Sequence, residues 1–244
     1  MKIIVDRKNR KYVVHDKEFH TEKGVIPEDD IKNAKVGDVL ETHMGKKYTV
    51  IEPNVIDYIE LMKRNCSILL PQDLGLITGF TGIGHGSKIV ESGTGAGSSL
   101  LFFANIIGPE GHISSYEIRE DFVEIIKENI DGTNFDNITL YNQDVTEGFK
   151  EDDHSIDLVF LDLPKPYEVI EDAYRILKTG GFIAVYTPYV EQFQIVNKVL
   201  GKTGFKHIVV REGNVREIEI KNNKTRPNSR MAGHTGYITF ARKM

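Results

Sequence analysis

The stretch KIVESGTGAGSSLLFF, residues 88–103, decides the fold of this chain. It consists of a short apolar strand, a turn with glycines at 93, 95 and 97, and the start of an apolar helix. Glycine at such a turn lets the backbone approach a ligand closely, because no Cβ intrudes. Ser98 stands where the dinucleotide fingerprint G-x-G-x-x-G has its third glycine. The stretch therefore predicts a nucleotide-binding turn that departs from the dinucleotide pattern.

The pattern around this turn predicts an α/β protein. From residue 88 to residue 204, strand segments alternate with amphipathic helices, which is typical of a parallel sheet with helices on both faces. In the helix that follows the second strand, Phe122, Ile125, Ile126 and Ile130 share one stripe. After Gly204 we expect three strands, KHIVVRE, VREIEIK and GYITFARK, with no helix between them. An α/β sheet that ends in antiparallel strands is typical of the class I, Rossmann-like methyltransferase fold.

The first 54 residues have a different pattern. Short β-branched segments such as KIIVD, KYVVH and KKYTVIEP are separated by turn residues. We expect a small β-rich domain over residues 1–54 and a catalytic α/β domain over residues 55–244.

Acidic residues end three successive strands of the predicted sheet. They are Glu117, Asp144 and Asp162. Ligands of open α/β sheets bind at the carboxyl ends of the strands. An ionised carboxylate only accepts hydrogen bonds, so Glu117 is suited to both ribose hydroxyls of an adenosine and Asp144 to its amino group. With the glycine turn, these acids favour S-adenosylmethionine as the cofactor over a nicotinamide or flavin nucleotide.

The third of these acids opens an unusual loop. Asp162 is followed by Pro164, Pro166 and Tyr167 in the segment DLPKPY. Adenine-N6 methyltransferases use a related element, an acid or amide followed by prolines and an aromatic ring, although the spacing here differs. Because proline restricts the backbone, the loop is expected to hold the acid in place before a substrate arrives.

Six motifs together resemble the tRNA (adenine-N1)-methyltransferase family, which modifies position 58 of the T loop and, in its archaeal branch, position 57 as well. The motifs are ESGTGAGS, YEIREDF, QDVTEGF, FLDLPKPYEVIEDA, LKTGGFIAVYTPYVEQ and RMAGHTGYITFARK. The resemblance covers nearly the whole chain. It implies S-adenosylmethionine as cofactor, tRNA as substrate and a homotetramer, and it leaves open whether position 57, position 58 or both are methylated.

The resemblance also implies roles for particular residues. Asp162 carries over as the catalytic acid, which would orient the adenine through its amino group and stabilise the positive charge that develops on the ring. The cofactor-binding residues that we expect are Gly93, Thr94, Gly95, Ala96, Gly97, Ser98, Ser99, Glu117, Phe122, Asp144, Val145 and Asp162. Family members commonly carry a glutamine and a tyrosine where this chain has Ser67 and Leu70, so how the base is held stays open.

Charge is segregated along the chain despite a net charge of −5. Residues 110–172 carry 18 acids against 4 bases, whereas residues 202–230 carry 8 bases against 3 acids. The basic segments RKNRK (7–11) and KTRPNSR (224–230) are therefore candidates for holding tRNA phosphates. The substrate-binding residues that we expect are Pro164, Tyr167, Tyr189, Arg226, Arg230 and His234.

Composition excludes several other classes of protein. No apolar run approaches the roughly 20 residues that span a bilayer, and the charged N-terminal segment is unlike a signal peptide, so we expect a cytoplasmic protein without a membrane partner. The single cysteine, Cys66, excludes an intramolecular disulfide, and its apolar context predicts an inert core thiol. No histidine spacing suggests a metal site. Two alternatives stay open: a methyltransferase of the same fold acting on a protein carboxylate or a small molecule, and a non-catalytic tRNA-binding subunit.

Overall fold

A computed structural model describes residues 2–221 and 224–244. The chain forms two compact units. The first comprises Met1–Lys63 with Asp131–Thr133, and the second comprises Arg64–Ile130 with Asn134–Met244.

The first unit is built on a four-stranded antiparallel sheet with the strand order β2-β1-β6-β5. Its strands are β1 (Lys2–Asp6), β2 (Lys11–Val14), the hairpin pair β3 (Phe19–Thr21) and β4 (Gly24–Ile26), β5 (Val39–Glu41) and β6 (Lys47–Ile51). Its helices are α1 (Glu28–Asn33) and α2 (Val55–Leu61). The sequence indicated β1, β2 and β6 but not α1, because a six-residue helix with one buried residue, Ile31, is too short to show a helical period.

The second unit contains one seven-stranded sheet with helices on both faces. Its strands are β7 (Lys88–Ser92), β8 (His112–Glu117), β9 (Ile138–Asn142), β10 (Ile156–Leu161), β11 (Leu177–Thr187), β12 (Lys206–Arg211) and β15 (Tyr237–Arg242). Its helices are α3 (Pro71–Thr81), α4 (Ser98–Ile107), α5 (Glu120–Asp131), α6 (Ile170–Ile176) and α7 (Val190–Thr203), with short 3₁₀ turns at Val145–Glu147 and Pro166–Glu168.

Strand order in this sheet is β12-β15-β11-β10-β7-β8-β9, in which β7 to β11 pair in parallel and β15 runs antiparallel to both of its neighbours. Chain connectivity thus places β7, which leads into the glycine turn, between β10 and β8. The predicted α/β arrangement with antiparallel closing strands is confirmed.

Side chains of the central strands point alternately into two apolar clusters. In β10, Val159 and Leu161 join the cluster under α6 and α7, whereas Leu158 and Phe160 join the cluster under α3, α4 and α5. Each is at most 1% exposed, and burying such a side chain is worth about 1.5–3 kcal/mol. Because both faces are covered, residues 158–161 form a continuous apolar run, and the polar residues Asp157 and Asp162 lie at its two ends.

One predicted strand does not join this sheet. The segment VREIEIK forms β13 (Ile218–Lys221), which pairs with β14 (Lys224–Pro227) in a separate two-stranded hairpin. Ile218 and Ile220 on β13 are 57% and 75% exposed. The alternation of apolar and charged residues correctly indicated a strand, but it could not show that its partner is the segment immediately after it.

Candidate active site

Backbone hydrogen bonds join the carboxyl ends of four adjacent strands. The Gly93 N–H donates to the Tyr116 carbonyl over 3.1 Å, and the Asp162 N–H donates to the Ser92 carbonyl over 2.9 Å. A third bond, from the Gln143 N–H to the Glu117 carbonyl, spans 3.1 Å. These bonds extend the sheet pairing beyond the regular strands. They fix the ends of β7, β8, β9 and β10 side by side, so the residues that follow these strands share one edge.

Gly93 allows this edge to close. Its φ of +86° lies in the left-handed region, and a Cβ placed on it would lie 1.9 Å from the carbonyl oxygen of Asp162. No side chain fits at that distance. The same glycine therefore turns the chain into α4 and brings the loop after β10 against the turn.

Glu117 is held by two backbone donors. Its Oε2 accepts from the Gly95 N–H over 3.0 Å, and its Oε1 accepts from the Arg119 N–H over 2.9 Å. The side chain is 6% exposed. Each carboxylate oxygen can accept a further hydrogen bond, so the group is a fixed, double acceptor at the end of β8.

Asp144 begins the 3₁₀ turn after β9. Its Oδ1 accepts from the backbone N–H of Thr146 over 2.9 Å and from the Thr146 hydroxyl over 2.7 Å. These two bonds lower the pKa of Asp144 below its ordinary value. Asp144 is therefore ionised at neutral pH and can accept from a ligand amino group.

Glu91 and Asp162 have the opposite character. Burial raises the pKa of Asp162 to about 7, and of the described residues none forms a hydrogen bond to its carboxylate. Burial also raises the pKa of Glu91 to about 7, against the opposing effect of the Ser99 and Ser115 hydroxyls. The Ser115 hydroxyl donates to Glu91 Oε1 over 2.9 Å, whereas Oε2 is buried without a described partner.

A cavity of about 300 Å³ lies at this edge of the sheet. Among the predicted site residues, its lining contains Gly93, Glu117, Asp144, Val145 and Pro164. Known ligand sites begin at about this volume, and they combine apolar walls with a few fixed polar groups. A ligand with vicinal hydroxyls and an amino group, such as an adenosine, matches the two carboxylates.

Comparison with known proteins agrees with this chemistry. The family model described as "tRNA methyltransferase complex GCD14 subunit" matches residues 53–226. The chain is 34% identical to the tRNA (adenine(57)-N(1)/adenine(58)-N(1))-methyltransferase TrmI of Methanocaldococcus jannaschii, over 99% of this chain and 94% of that protein. The chain belongs to the tRNA (adenine-N1)-methyltransferase family. The predicted family, enzyme class, fold class and cofactor, S-adenosylmethionine, are thereby confirmed.

A second related enzyme and a solved structure are also similar to this chain. The tRNA (adenine(58)-N(1))-methyltransferase TrmI of Thermus thermophilus is 29% identical over 99% of this chain and 96% of that protein. A solved structure described as a S-adenosylmethionine-dependent O-methyltransferase from Thermotoga maritima has a TM-score of 0.90 and 31% identity, and it covers 99% of this chain and 92% of that chain. These relatives extend over both units of the chain.

Several of the predicted cofactor-binding residues of this chain lie in the glycine turn and are not part of the described cavity wall. Thr94, Ala96, Ser98 and Ser99 are all at most 4% exposed, and Gly97 precedes α4 with a φ of +96°. The Thr94 hydroxyl lies 2.6 Å from the Ser115 hydroxyl and donates to the Tyr116 carbonyl over 3.2 Å. Their position supports a role in shaping the turn.

Other predicted residues have structural partners of their own. Tyr167 packs against the apolar cluster under α6 and α7. The Arg119 guanidinium lies over the ring of Phe122, with its Cζ 4.0 Å from the ring centroid. Tyr189 precedes α7 and is 64% exposed. Arg226 on β14 pairs with Glu219 over 3.2 Å, and Arg230 lies three residues beyond β14. None of these side chains lines the cavity among the described residues.

His234 is held by acceptors at both ring nitrogens. Nδ1 lies 2.6 Å from Glu212 Oε1, and Nε2 lies 3.0 Å from the Pro188 carbonyl. Both contacts raise the pKa of His234, the Glu212 contact most. The ring therefore ties the loop before β15 to the end of β11, a role that the sequence motif could not distinguish from substrate contact.

Two further residues bear on the turn and on Asp162. Cys66 is partly exposed rather than in the core, and its Sγ lies 3.4 Å from where a Cβ on Gly95 would be. Burial raises the pKa of Tyr186, with a further contribution from the Asp162 charge, to about 12. Only tertiary packing brings Cys66 to the turn, so no local pattern could have revealed its position. Within the described ranges, no His/Cys/Asp/Glu cluster suited to a metal ion and no helix long and apolar enough to cross a bilayer is present.

We expect Gly93→Ala to abolish S-adenosylmethionine binding and to lower the free energy of unfolding by at least about 3 kcal/mol, because it combines backbone strain with a steric clash. Gly79→Ala is the matched control. Gly79 lies in α3 with open space around it, so alanine there should stabilise the protein by about 0.5–1 kcal/mol. Calorimetric titration and thermal unfolding measure both effects. Normal cofactor binding by Gly93→Ala would contradict the close approach to Asp162.

Buried Glu91 should make the protein less stable as the pH rises. Its pKa is raised from 4.5 to about 7 on folding, so the folded state binds more protons than the unfolded state between these values. The contribution of Glu91 to stability is therefore fully present below about pH 4.5 and is lost as the pH rises from there through about 7, by up to about 3 kcal/mol. Glu91→Gln should flatten this dependence between about pH 5 and pH 8, and exposed Glu124→Gln should not. Unfolding curves measured across this pH range test the prediction. The same pH dependence of the free energy of unfolding in wild type and Glu91→Gln would refute it.

Proposed function

We propose that the protein transfers a methyl group from S-adenosylmethionine to N1 of an adenine in the T loop of tRNA. Family membership and the full-length similarity to named tRNA (adenine-N1)-methyltransferases support this proposal. The observation that carries it is Asp162, a partly exposed acid whose backbone carbonyl lies against the Gly93 turn and which directly precedes Leu163 and Pro164 of the cavity wall.

Two acids would hold the adenosyl part of the cofactor. Glu117, oriented by the N–H groups of Gly95 and Arg119, would accept from the ribose hydroxyls. Asp144, kept ionised by Thr146, would accept from the adenine amino group. Gly93 leaves its side of the cavity free of a side chain, and Val145 and Leu163 supply apolar wall. The residues present therefore fit S-adenosylmethionine.

S-adenosylmethionine supplies an electrophilic methyl group bound to a positively charged sulfur. Ionised Asp162 would accept a hydrogen bond from the amino group of the target adenine, which orients N1. The methylated ring is cationic, and a carboxylate at low dielectric stabilises that charge as it forms. A nearby positive charge also favours the ionised form of Asp162, which brings its pKa below about 7 in the working enzyme.

The position methylated is proposed to be 58, with 57 as a second site. The relative named for both positions is 34% identical to this chain, whereas the Thermus relative named for position 58 alone is 29% identical. Both alignments cover 99% of this chain, so the two identities refer to the same residues.

A methyltransferase that acts on oxygen is the second candidate. The Thermotoga maritima structure described as an O-methyltransferase is 31% identical and has a TM-score of 0.90. Such an enzyme would give no reason for a basic segment on the β13–β14 hairpin. A non-catalytic tRNA-binding subunit is disfavoured because it would not need the Gly93 turn or the acids at the strand ends.

Incubation with labelled S-adenosylmethionine and tRNA transcripts, followed by nucleoside analysis, should give 1-methyladenosine. Transcripts with position 57 or position 58 replaced separate the two sites. Asp162→Ala and Asp162→Asn should lower turnover about 100-fold or more, because charge stabilisation is lost, while cofactor affinity stays within a few fold. Label in an ester or ether would favour the oxygen methyltransferase, and wild-type turnover by Asp162→Ala would remove the proposed role of Asp162.

Replacing Arg226 and Arg230 with glutamine should weaken tRNA binding and make it less dependent on salt. Each phosphate contact contributes roughly one unit to the slope of log K against log salt concentration, so a double variant that loses two contacts should lose about two units. Cofactor binding should not change. Arg226 already pairs with Glu219, so Glu219→Gln is a useful comparison. It removes a negative charge beside Arg226 and should therefore strengthen tRNA binding. An unchanged salt slope would assign both arginines to the protein's own ion pairs.

The homotetramer and the cytoplasmic location remain predictions from the family resemblance and the sequence. Analytical ultracentrifugation of the purified protein measures the first, and localisation in the source cell measures the second.

A further inference from the structure

The first unit contains a concavity walled by aromatic rings, which we call the ring concavity. Its volume is about 370 Å³, and its wall includes Tyr12, Phe19 and Tyr48. The three rings pack edge to face, with centroids 5.6–6.3 Å apart. Tyr48 is buried, whereas Tyr12 and Phe19 are partly exposed. The concavity therefore offers aromatic surface to a flat ligand.

A buried acid organises two cations on the same concavity. Asp6, 4% exposed, accepts from Arg10 Nε over 3.0 Å and contacts Arg10 Nη2 over 2.8 Å, and Lys46 Nζ lies 3.2 Å away. Burial opposes ionisation of Asp6, but hydrogen bonds from Arg10, Lys8 and Lys46 outweigh it and lower its pKa. Asp6 thus holds both cations in fixed positions.

A third cation lies on the β3–β4 hairpin. Lys23 is exposed, and its ammonium has no partner among residues 2–221 and 224–244. Its backbone is fixed, because its N–H donates to the Thr21 hydroxyl over 3.0 Å and its carbonyl accepts from the Thr42 hydroxyl over 2.6 Å. Glu22 is the one acid among the described residues that line the ring concavity. The mouth is therefore positively charged next to aromatic walls.

The larger concavity of this unit lacks that combination. Its volume is about 690 Å³, and its acids Asp6, Glu52 and Asp57 accompany its basic residues. Lys11 there is bound to Asp57 over 2.7 Å and to Glu60 over 2.6 Å. No aromatic ring is among its lining residues that the structure describes. Size alone would select this concavity, but the acids of its wall equal the bases in number, three against three.

We propose that the ring concavity binds one unstacked nucleotide of the RNA substrate, with the base against Tyr12 and Phe19 and the phosphate at Lys23, Arg10 and Lys46. Aromatic rings beside cations are the usual means of holding single-stranded nucleic acid without reading its sequence. The proposal rests on the proposed function, since it takes tRNA as the substrate. It gives the first unit an RNA contact of its own.

The test compares two variants with the same charge change in the full-length protein. Lys23→Glu should reduce the salt slope of tRNA binding by about one unit and raise the KM for tRNA, with kcat at saturating tRNA unchanged. Lys17→Glu, an exposed lysine of the same unit outside the concavity, should do neither. Phe19→Leu should weaken binding at least about fivefold without changing the slope, because stacking is not ionic. Thermal unfolding checks that each variant folds.

Each outcome is decisive. Equal effects of Lys23→Glu and Lys17→Glu would assign the contribution to the general field of the unit and overturn the proposal. An unchanged salt slope in Lys23→Glu would do the same. A change of oligomeric state on light scattering, with tRNA binding intact, would show that the concavity serves a protein partner. Wild type that binds tRNA without methylating it would sink only the proposed function, and wild type that does not bind tRNA would sink both.

Discussion

The contact between the Gly93 backbone and the carbonyl of Asp162 is the constraint on which the site depends. It is possible only without a Cβ at residue 93, and it joins the turn after β7 to the loop after β10. Both strands are buried on both faces, so their ends cannot shift without disturbing the apolar clusters. The position of the candidate catalytic acid is thus inherited from the packing of the sheet, and Pro164 and Pro166 only restrict the loop further.

The acids at this edge fall into two electrostatic classes. Glu117 and Asp144 accept from backbone N–H groups, which stabilise a carboxylate. Glu91 is buried and Asp162 is partly exposed, both have few or no donors, and desolvation raises the pKa of each to about 7. The first pair suits permanent acceptors for a ligand. The second pair responds to added charge, so a cationic ligand and the ionisation of Asp162 favour each other.

The sequence predicted those parts of the site that depend on local pattern. The glycine turn and the acids at the ends of β8, β9 and β10 follow from strand periodicity and chain order alone. Tyr167 follows the same loop, yet it is partly buried and packs against the apolar cluster under α6 and α7. His234, Cys66 and Tyr186 owe their surroundings to contacts between residues far apart in the chain. Likewise, nothing local distinguished the β13–β14 hairpin from a strand of the sheet.

A chain of hydrogen bonds explains why Asp162 lacks a partner. The Tyr186 hydroxyl donates its only proton to the Thr235 carbonyl, and the Thr235 hydroxyl donates to Asp73 Oδ1 over 2.9 Å. Gly236, with a φ of +144°, lies against the Tyr186 ring, where a Cβ would come within 2.2 Å of it. The loop before β15 thus engages the only proton of the phenol, which is then not available to Asp162. A desolvated acid left without a donor is unfavourable for folding, and such acids cluster at functional sites because a substrate can supply the missing hydrogen bond. An adenine amino group is a donor of that kind.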